Sequence, residues 1–168
     1  MKSLKSTFIP WVKPTLFGDE DRYLLDALKS TWISGGPYVE RLERIIPDHL
    51  GMRYGIAVSN GTSALQLGLL GLGVGPGDQV IVPGYTFAAA INMVLAVGAT
   101  PVFADINPDT WCIDVKEVER AITRHTRAVI PVHLYGNVAN MPALMALARA
   151  HGLAVVEDTA ESAFSLLG

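Results

Sequence analysis

The sequence predicts an α/β fold of three layers (α/β/α), with helices on both faces of a mostly parallel sheet. From Tyr54 onward, short β-rich apolar runs alternate with helical segments to the end of the chain, the rhythm of βαβ units. Those runs are apolar throughout rather than at every second residue, as strands covered on both faces are. Half of the 168 residues are hydrophobic and only 17% are charged, against roughly 25% in an average soluble domain. An unusual share of the chain therefore expects burial.

The first helix starts at Gly18-Asp19-Glu20-Asp21, where acidic residues suit a first turn, and Tyr23, Leu24, Leu25, Ala27 and Leu28 carry it to about Thr31. Trp32 to Gly36 is a loop. Pro37 fits the first position of a second helix with Val39, Leu42, Ile45 and Ile46 on one face, closed by His49 and Gly51. Residues 1–52 thus form an N-terminal helical segment and residues 53–168 an α/β domain. The expected strands are Gly55–Val58, Gln79–Val82, Thr100–Phe103, Ala128–Val132 and Leu153–Val156. The helices between them are Ser63–Leu72, Phe87–Val97, Val115–Ile122 and Met141–His151. Gly71-Leu72-Gly73-Val74-Gly75-Pro76-Gly77 leaves a helix instead of opening one and lacks G-x-G-x-x-G spacing, so it reads as a helix end and turn, not a dinucleotide loop.

Composition excludes several functions. The net charge is −3 and the 13 basic residues are scattered, so nucleic acid is not an expected partner. Cys112 is the sole cysteine, which rules out an internal disulfide and a zinc cluster and fits a cytoplasmic location. The first residues develop no apolar signal-peptide core. The uncharged stretches Tyr54–Gly77 and Val80–Ala104 are broken by Ser59-Asn60-Gly61-Thr62 and by Pro83, Asn92 and Pro101, so no membrane association is expected.

In such sheets ligands bind beyond the carboxyl ends of the strands. Ser59-Asn60-Gly61-Thr62, Pro83-Gly84-Tyr85-Thr86-Phe87, Asp105, His133 and Glu157-Asp158 all fall there. Asn60-Gly61-Thr62 is either an ordinary turn, with Thr62 as N-cap and Gly61 at positive φ, or an anion site made of free N–H groups at a helix start. Phe87 is either core or a face for a flat ring. His133 reads as a satisfied structural histidine. Asp158 follows four apolar residues, where a carboxylate is costly to desolvate without a cation or hydrogen bonds. A capping role shared with Glu157 and Glu161 is the plainer alternative, and a paired-carboxylate glycosidase site lacks sugar-cleft aromatics around it.

Trp32-Ile33-Ser34-Gly35-Gly36-Pro37, Ser59-Asn60-Gly61-Thr62-Ser63-Ala64-Leu65, Gly75-Pro76-Gly77-Asp78-Gln79-Val80-Ile81-Val82-Pro83, Gly98 to Ile106, Pro131-Val132-His133-Leu134-Tyr135-Gly136 and Val156 to Ser162 stand in one order. With them the chain resembles the N-terminal half of the DegT/DnrJ/StrS family of sugar-nucleotide aminotransferases. The resemblance implies the large pyridoxal-phosphate-binding domain of fold type I, truncated. It also implies pyridoxal 5'-phosphate as cofactor and transfer of an amino group from an amino acid, usually glutamate, to a keto-sugar nucleotide. Gly61, Thr62 and Ser63 would hold the phosphate, Phe87 would stack on the pyridine ring, Asp158 would pair with the ring nitrogen, and Glu161 would lie near the ring hydroxyl. Full-length members are expected to be homodimers.

Family members carry the Schiff-base lysine some tens of residues beyond the aspartate motif, whereas the last lysine here is Lys116. The chain is therefore expected to be a fragment with no catalytic residue of its own and no activity alone. Two alternatives stand beside it: a non-catalytic nucleotide-sugar-binding or dimer-partner module, and a dehydratase relative. A nicotinamide enzyme is disfavoured by the missing glycine fingerprint.

Overall fold

The computed structural model describes Pro10 and residues 13–166; the expectation about a signal-peptide core falls almost wholly outside them. The chain divides into two compact units, one ending at Ala57 and the other beginning at Val58.

The first unit holds α1 (Glu20–Ser30) and α2 (Pro37–Leu50). Glu20 and Asp21 occupy the first turn of α1, and Thr31 ends it in the left-handed region at φ 65°. Pro37 opens α2 and Gly51 closes it at φ 65°, where only glycine adopts the conformation without strain. Both helix limits agree with the sequence to within two residues. Tyr23 and Tyr38 meet edge to face at 5.9 Å, with the Arg22 and Arg41 guanidinium groups over the Tyr23 ring.

The second unit is a four-stranded parallel sheet in the order β2-β1-β3-β4: β1 (Gln79–Pro83), β2 (Thr100–Ala104), β3 (Thr126–Val129) and β4 (Ala154–Val155). Four helices cover it: α3 (Gly61–Gly71), α4 (Ala89–Ala96), α5 (Val115–Ala121) and α6 (Met141–His151). The period of two in β1 and β3 sorts their side chains between two cores. Val80, Val82, Ala128 and Ile130 pack with Leu65 and Leu69 of α3 and Ala90 and Val94 of α4. Ile81 and Val129 pack on the other face with Val118 of α5 and Leu144 of α6. This is the three-layer arrangement the apolar runs predict. Burying Val80, Ile81, Val82 and Val129 completely stabilises the sheet by about 1.5–3 kcal/mol per side chain.

Gly55–Val58 is a correction. It forms no strand, Ile56 is 72% exposed, and the Ala57 N–H donates to the Glu43 carboxylate at 2.8 Å instead of to a ladder. Valine and isoleucine favour a strand only when a neighbour supplies hydrogen bonds and packing, and none of the described residues does so here. The other strands fall within two or three residues of expectation. β3 starts at Thr126 and ends at Val129, and beyond it a single parallel bridge joins Val132 to Asp158.

Candidate active site

Asn60, not Thr62, caps α3. Its backbone is extended and its side-chain oxygen accepts the Ser63 N–H at 2.9 Å, while its carbonyl accepts the Ala64 N–H. Asparagine reaches the third N–H ahead of it, so the cap lies two residues earlier than the threonine suggested. Gly61 is not at positive φ, which corrects the second half of that turn reading. The N–H groups of Gly61 and Thr62 are left without partners among the described residues. They lie at the positive end of an eleven-residue helix dipole.

A Cβ placed on Gly61 would meet nothing within 4 Å. Neither conformation nor packing inside the chain therefore requires glycine there. What a Cβ would enter is a cavity of about 210 Å³ lined by Gly61, Thr62, Phe87, Asp158 and Glu161, among others. A second cavity of about 240 Å³ shares Gly61 and Asp158. Five of the six sequence-derived site residues thus surround one space. Ser63 does not line it: its N–H is taken by Asn60, and its hydroxyl lies 3.4 Å from that of Ser59.

Asp158 is placed by its backbone. Its N–H donates to Pro131 O at 2.9 Å and its carbonyl accepts the His133 N–H at 3.0 Å, so the residue is fixed to the extension of β3. The half-buried carboxylate accepts one N–H, from Ala160 at 3.1 Å, and meets no cation within ion-pair distance among the described residues. The capping role is real but uses one lone pair, and the remaining oxygen capacity opens on the cavity. Phe87 is 73% exposed, which removes the core alternative for it; α4 itself begins two residues later, at Ala89. The Thr86 hydroxyl beside it is buried and without a hydrogen-bond partner among the described residues.

His133 is the satisfied structural histidine its surroundings suggested. Its Nδ1 accepts the Ala139 N–H at 3.3 Å, which puts the neutral ring's proton on Nε2, and that proton points to Glu157 Oε2 at 3.2 Å. Buried Ser162 donates to His133 O at 3.2 Å and accepts the Gly136 N–H at 3.1 Å, bracing the loop that carries Glu161. Glu161 Oε2 in turn accepts the Tyr135 N–H at 3.3 Å.

Sequence reasoning missed an aromatic group at the same edge. Tyr85, Trp111 and Tyr135 come from the loops after β1, β2 and β3. Trp111 meets Tyr85 at 5.3 Å and Tyr135 at 6.5 Å, both edge to face. The Tyr85 and Tyr135 hydroxyls lie 3.0 Å apart. That hydrogen bond, then burial and the nearby Glu161 charge, raises the Tyr135 hydroxyl above the ordinary tyrosine range. Trp111 and Tyr135 sit at φ 63° and 54°, a conformation that costs a bulky residue about 1–3 kcal/mol. Exposed aromatics in three separate loops leave no periodic signal; only their shared position after strand ends could have pointed to them.

The parallel sheet between helix layers, with its candidate site beyond the strands' carboxyl ends, defines a fold-type-I domain of the class found in pyridoxal-phosphate-dependent aminotransferases. Residues 15–166 match the DegT/DnrJ/EryC1/StrS aminotransferase family, and the chain belongs to it. It is 44% identical over 150 residues to GDP-perosamine synthase of Caulobacter vibrioides, an alignment covering 89% of this chain and 40% of that protein. It is 42% identical over 161 residues to the 3-oxo-glucose-6-phosphate:glutamate aminotransferase of Bacillus subtilis, covering 94% of this chain and 36% of the relative. The crystal structure of NtdA from Bacillus subtilis, with bound cofactor PMP, superposes with a TM-score of 0.82 at 40% identity, over 90% of this chain and 36% of that one. The chain spans about two fifths of the length of such relatives. Among the described residues no helix is long and apolar enough to cross a membrane.

Proposed function

We propose that this chain supplies the phosphate-and-ring wall of a pyridoxal-phosphate-dependent sugar aminotransferase that moves an amino group from glutamate to a keto-sugar nucleotide. One observation carries it. A pair of helix N–H groups and a half-buried carboxylate, without a partner and without a cation among the described residues, line the same cavity. A ligand with an anionic phosphate at one end and a protonated ring nitrogen at the other satisfies both. The residues fit the cofactor, which supplies an electron sink for chemistry at the amino-bearing carbon when bound.

In this reading Gly61 and Thr62 donate N–H groups to the phosphate, and the open space above Gly61 admits it. Ser63, whose N–H belongs to the cap, does not line the cavity and stands behind these two donors. Asp158 holds a proton on the ring nitrogen by favouring the charged form, and its backbone bonds to Pro131 and His133 keep it in place. Phe87 covers a ring face and excludes water, and Glu161 takes the position near the ring hydroxyl. The relative from Bacillus subtilis names glutamate as its donor, and that name supports the donor assignment here.

The test is calorimetric titration of the chain with pyridoxamine 5'-phosphate, which binds without a lysine. Asp158→Asn keeps an oxygen for the Ala160 N–H while removing the charge. It should weaken binding by roughly 10- to 100-fold, the cost of a charge-assisted hydrogen bond. Wild-type affinity in Asp158→Asn, or no binding by the chain at all, refutes the assignment.

A further inference from the structure

We infer that the His133 and Glu157 side chains clip the backbone beside Asp158 and so position the Asp158 carboxylate in its cavity. The inference rests on the cofactor reading above and adds what holds that carboxylate still. Asp158 stands where the sheet is least supported. β4 has only two residues and pairs on one side alone, with β3. Past it, the Val156 N–H donates to Val129 O at 3.1 Å and the Asp158 N–H to Pro131 O at 2.9 Å, two residues on along both segments, as in an extended parallel pair. The Asp158 carboxylate itself accepts a single N–H among the described residues, from Ala160.

Side chains alternate between the two faces of an extended segment. Val132 and Asp158 are joined by a bridge and both line the cavity, so His133 and Glu157, each one residue away, share the opposite face. There the buried His133 ring accepts the Ala139 N–H on Nδ1 at 3.3 Å and reaches Glu157 Oε2 from Nε2 at 3.2 Å. The ring is thus anchored in the loop after β3 and extends from that anchor to the residue before Asp158. Glu157 and Asp158 share a peptide unit, so turning that unit swings both carboxylates, and holding one restrains the other. A buried imidazole is costly unless both nitrogens are paired, whereas an aliphatic side chain would fill the space without that demand. What the histidine adds is a directional bond to Glu157. Glu157 borders the second cavity as well, yet its carboxylate is engaged with His133. Neither residue lines the cavity that holds Phe87 and Glu161, so both are positioning residues.

The experiment titrates the chain with pyridoxamine 5'-phosphate by calorimetry and follows the Asp158 amide by hydrogen exchange without ligand. Glu157→Ala breaks the clip at a side chain that is 47% exposed. It should weaken binding by about threefold to tenfold, the scale of one hydrogen bond, and quicken Asp158 exchange by a similar factor. Glu157→Gln keeps an oxygen for the Nε2 proton without the charge and should restore both to within about twofold of wild type. In the Asp158→Asn background, Glu157→Ala should cost less than about twofold more, because the charge it positions is gone; a general loss of structure would weaken both backgrounds alike. His133→Asn offers its side-chain oxygen to the Ala139 N–H but falls short of Glu157, and should match Glu157→Ala. Should it lose its circular dichroism signature, the Glu157 variants decide. Wild-type affinity in Glu157→Ala overturns the clip, as does Glu157→Gln binding as weakly as Glu157→Ala, or a loss that persists in Asp158→Asn. Faster exchange in Glu157→Ala of a chain that binds no pyridoxamine 5'-phosphate keeps the clip and overturns the cofactor assignment instead. Unchanged exchange with no binding overturns both.

Discussion

Gly61→Ala should make the protein more stable and its cofactor site worse. Gly61 opens α3 without positive φ, and a Cβ there meets no atom within 4 Å. Replacing glycine by alanine at a compatible helical position restricts the unfolded chain and stabilises by about 0.4–1 kcal/mol. For a unit of this size that raises Tm by roughly 2–4 °C. The same methyl enters the cavity that Gly61 lines and competes with a phosphate for it. Losing one charge-assisted bond to the Gly61 or Thr62 N–H costs about 1.5–3 kcal/mol, or roughly 10- to 100-fold in affinity for pyridoxamine 5'-phosphate. Gly71→Ala is the control: it lies at the other end of α3, also has open space at Cβ, and lines neither of the two cavities. It should give a similar stabilisation with unchanged binding. Paired melts and titrations check both. Wild-type affinity in Gly61→Ala refutes the phosphate cradle, and a lowered Tm refutes the claim that no internal packing requires this glycine.

Asn60→Ala removes the side-chain acceptor for the Ser63 N–H and should lower stability by about 1 kcal/mol, read as a shifted urea midpoint; an unchanged midpoint contradicts the cap. The Tyr135 hydroxyl should ionise above the ordinary tyrosine range in an ultraviolet titration and return toward it in Tyr85→Phe. Because the folded-state value is raised, any stability this bond supplies is present below the ordinary tyrosine pKa and is lost as pH climbs through the raised one. None of Lys13, Lys29 or Lys116 lines the cavity, so pyridoxal phosphate added to the 168-residue chain should remain removable by dialysis after borohydride treatment. Cofactor fixed covalently in stoichiometric amount would contradict that.

The sheet was legible because β1 and β3 are apolar on both faces, and burial on both faces is what reading continuous runs detects. Gly55–Val58 shows the limit of the same logic. Composition reports that a run would suit a strand, but not whether a neighbour is there to pair with it. At the site, Phe87 and Asp158 reach one cavity because each follows a strand, and a parallel sheet gathers strand ends along one edge; Gly61 and Thr62 join them from a segment whose expected strand does not form, and Glu161 was pointed to by the resemblance alone. The division of labour inside Ser59–Ser63 was not readable, since Asn60 and Thr62 can both cap and only the backbone angle at Asn60 decides between them. Trp111 and Tyr135 were hidden for a further reason: their left-handed conformations follow from tertiary packing and leave no mark in residue type.

The segment from Gly55 to Val58 also shows how a sequence disarms itself. Its aliphatic residues would invite another chain to add alongside, yet two positions stand in the way. Gly55 allows the main chain to press against α2, where a Cβ would come within 2.6 Å of the Glu43 carbonyl. The Glu43 carboxylate then occupies the Ala57 amide, a donor that an incoming strand would need. Guarding an aggregation-prone stretch thus falls to one missing side chain and one charge.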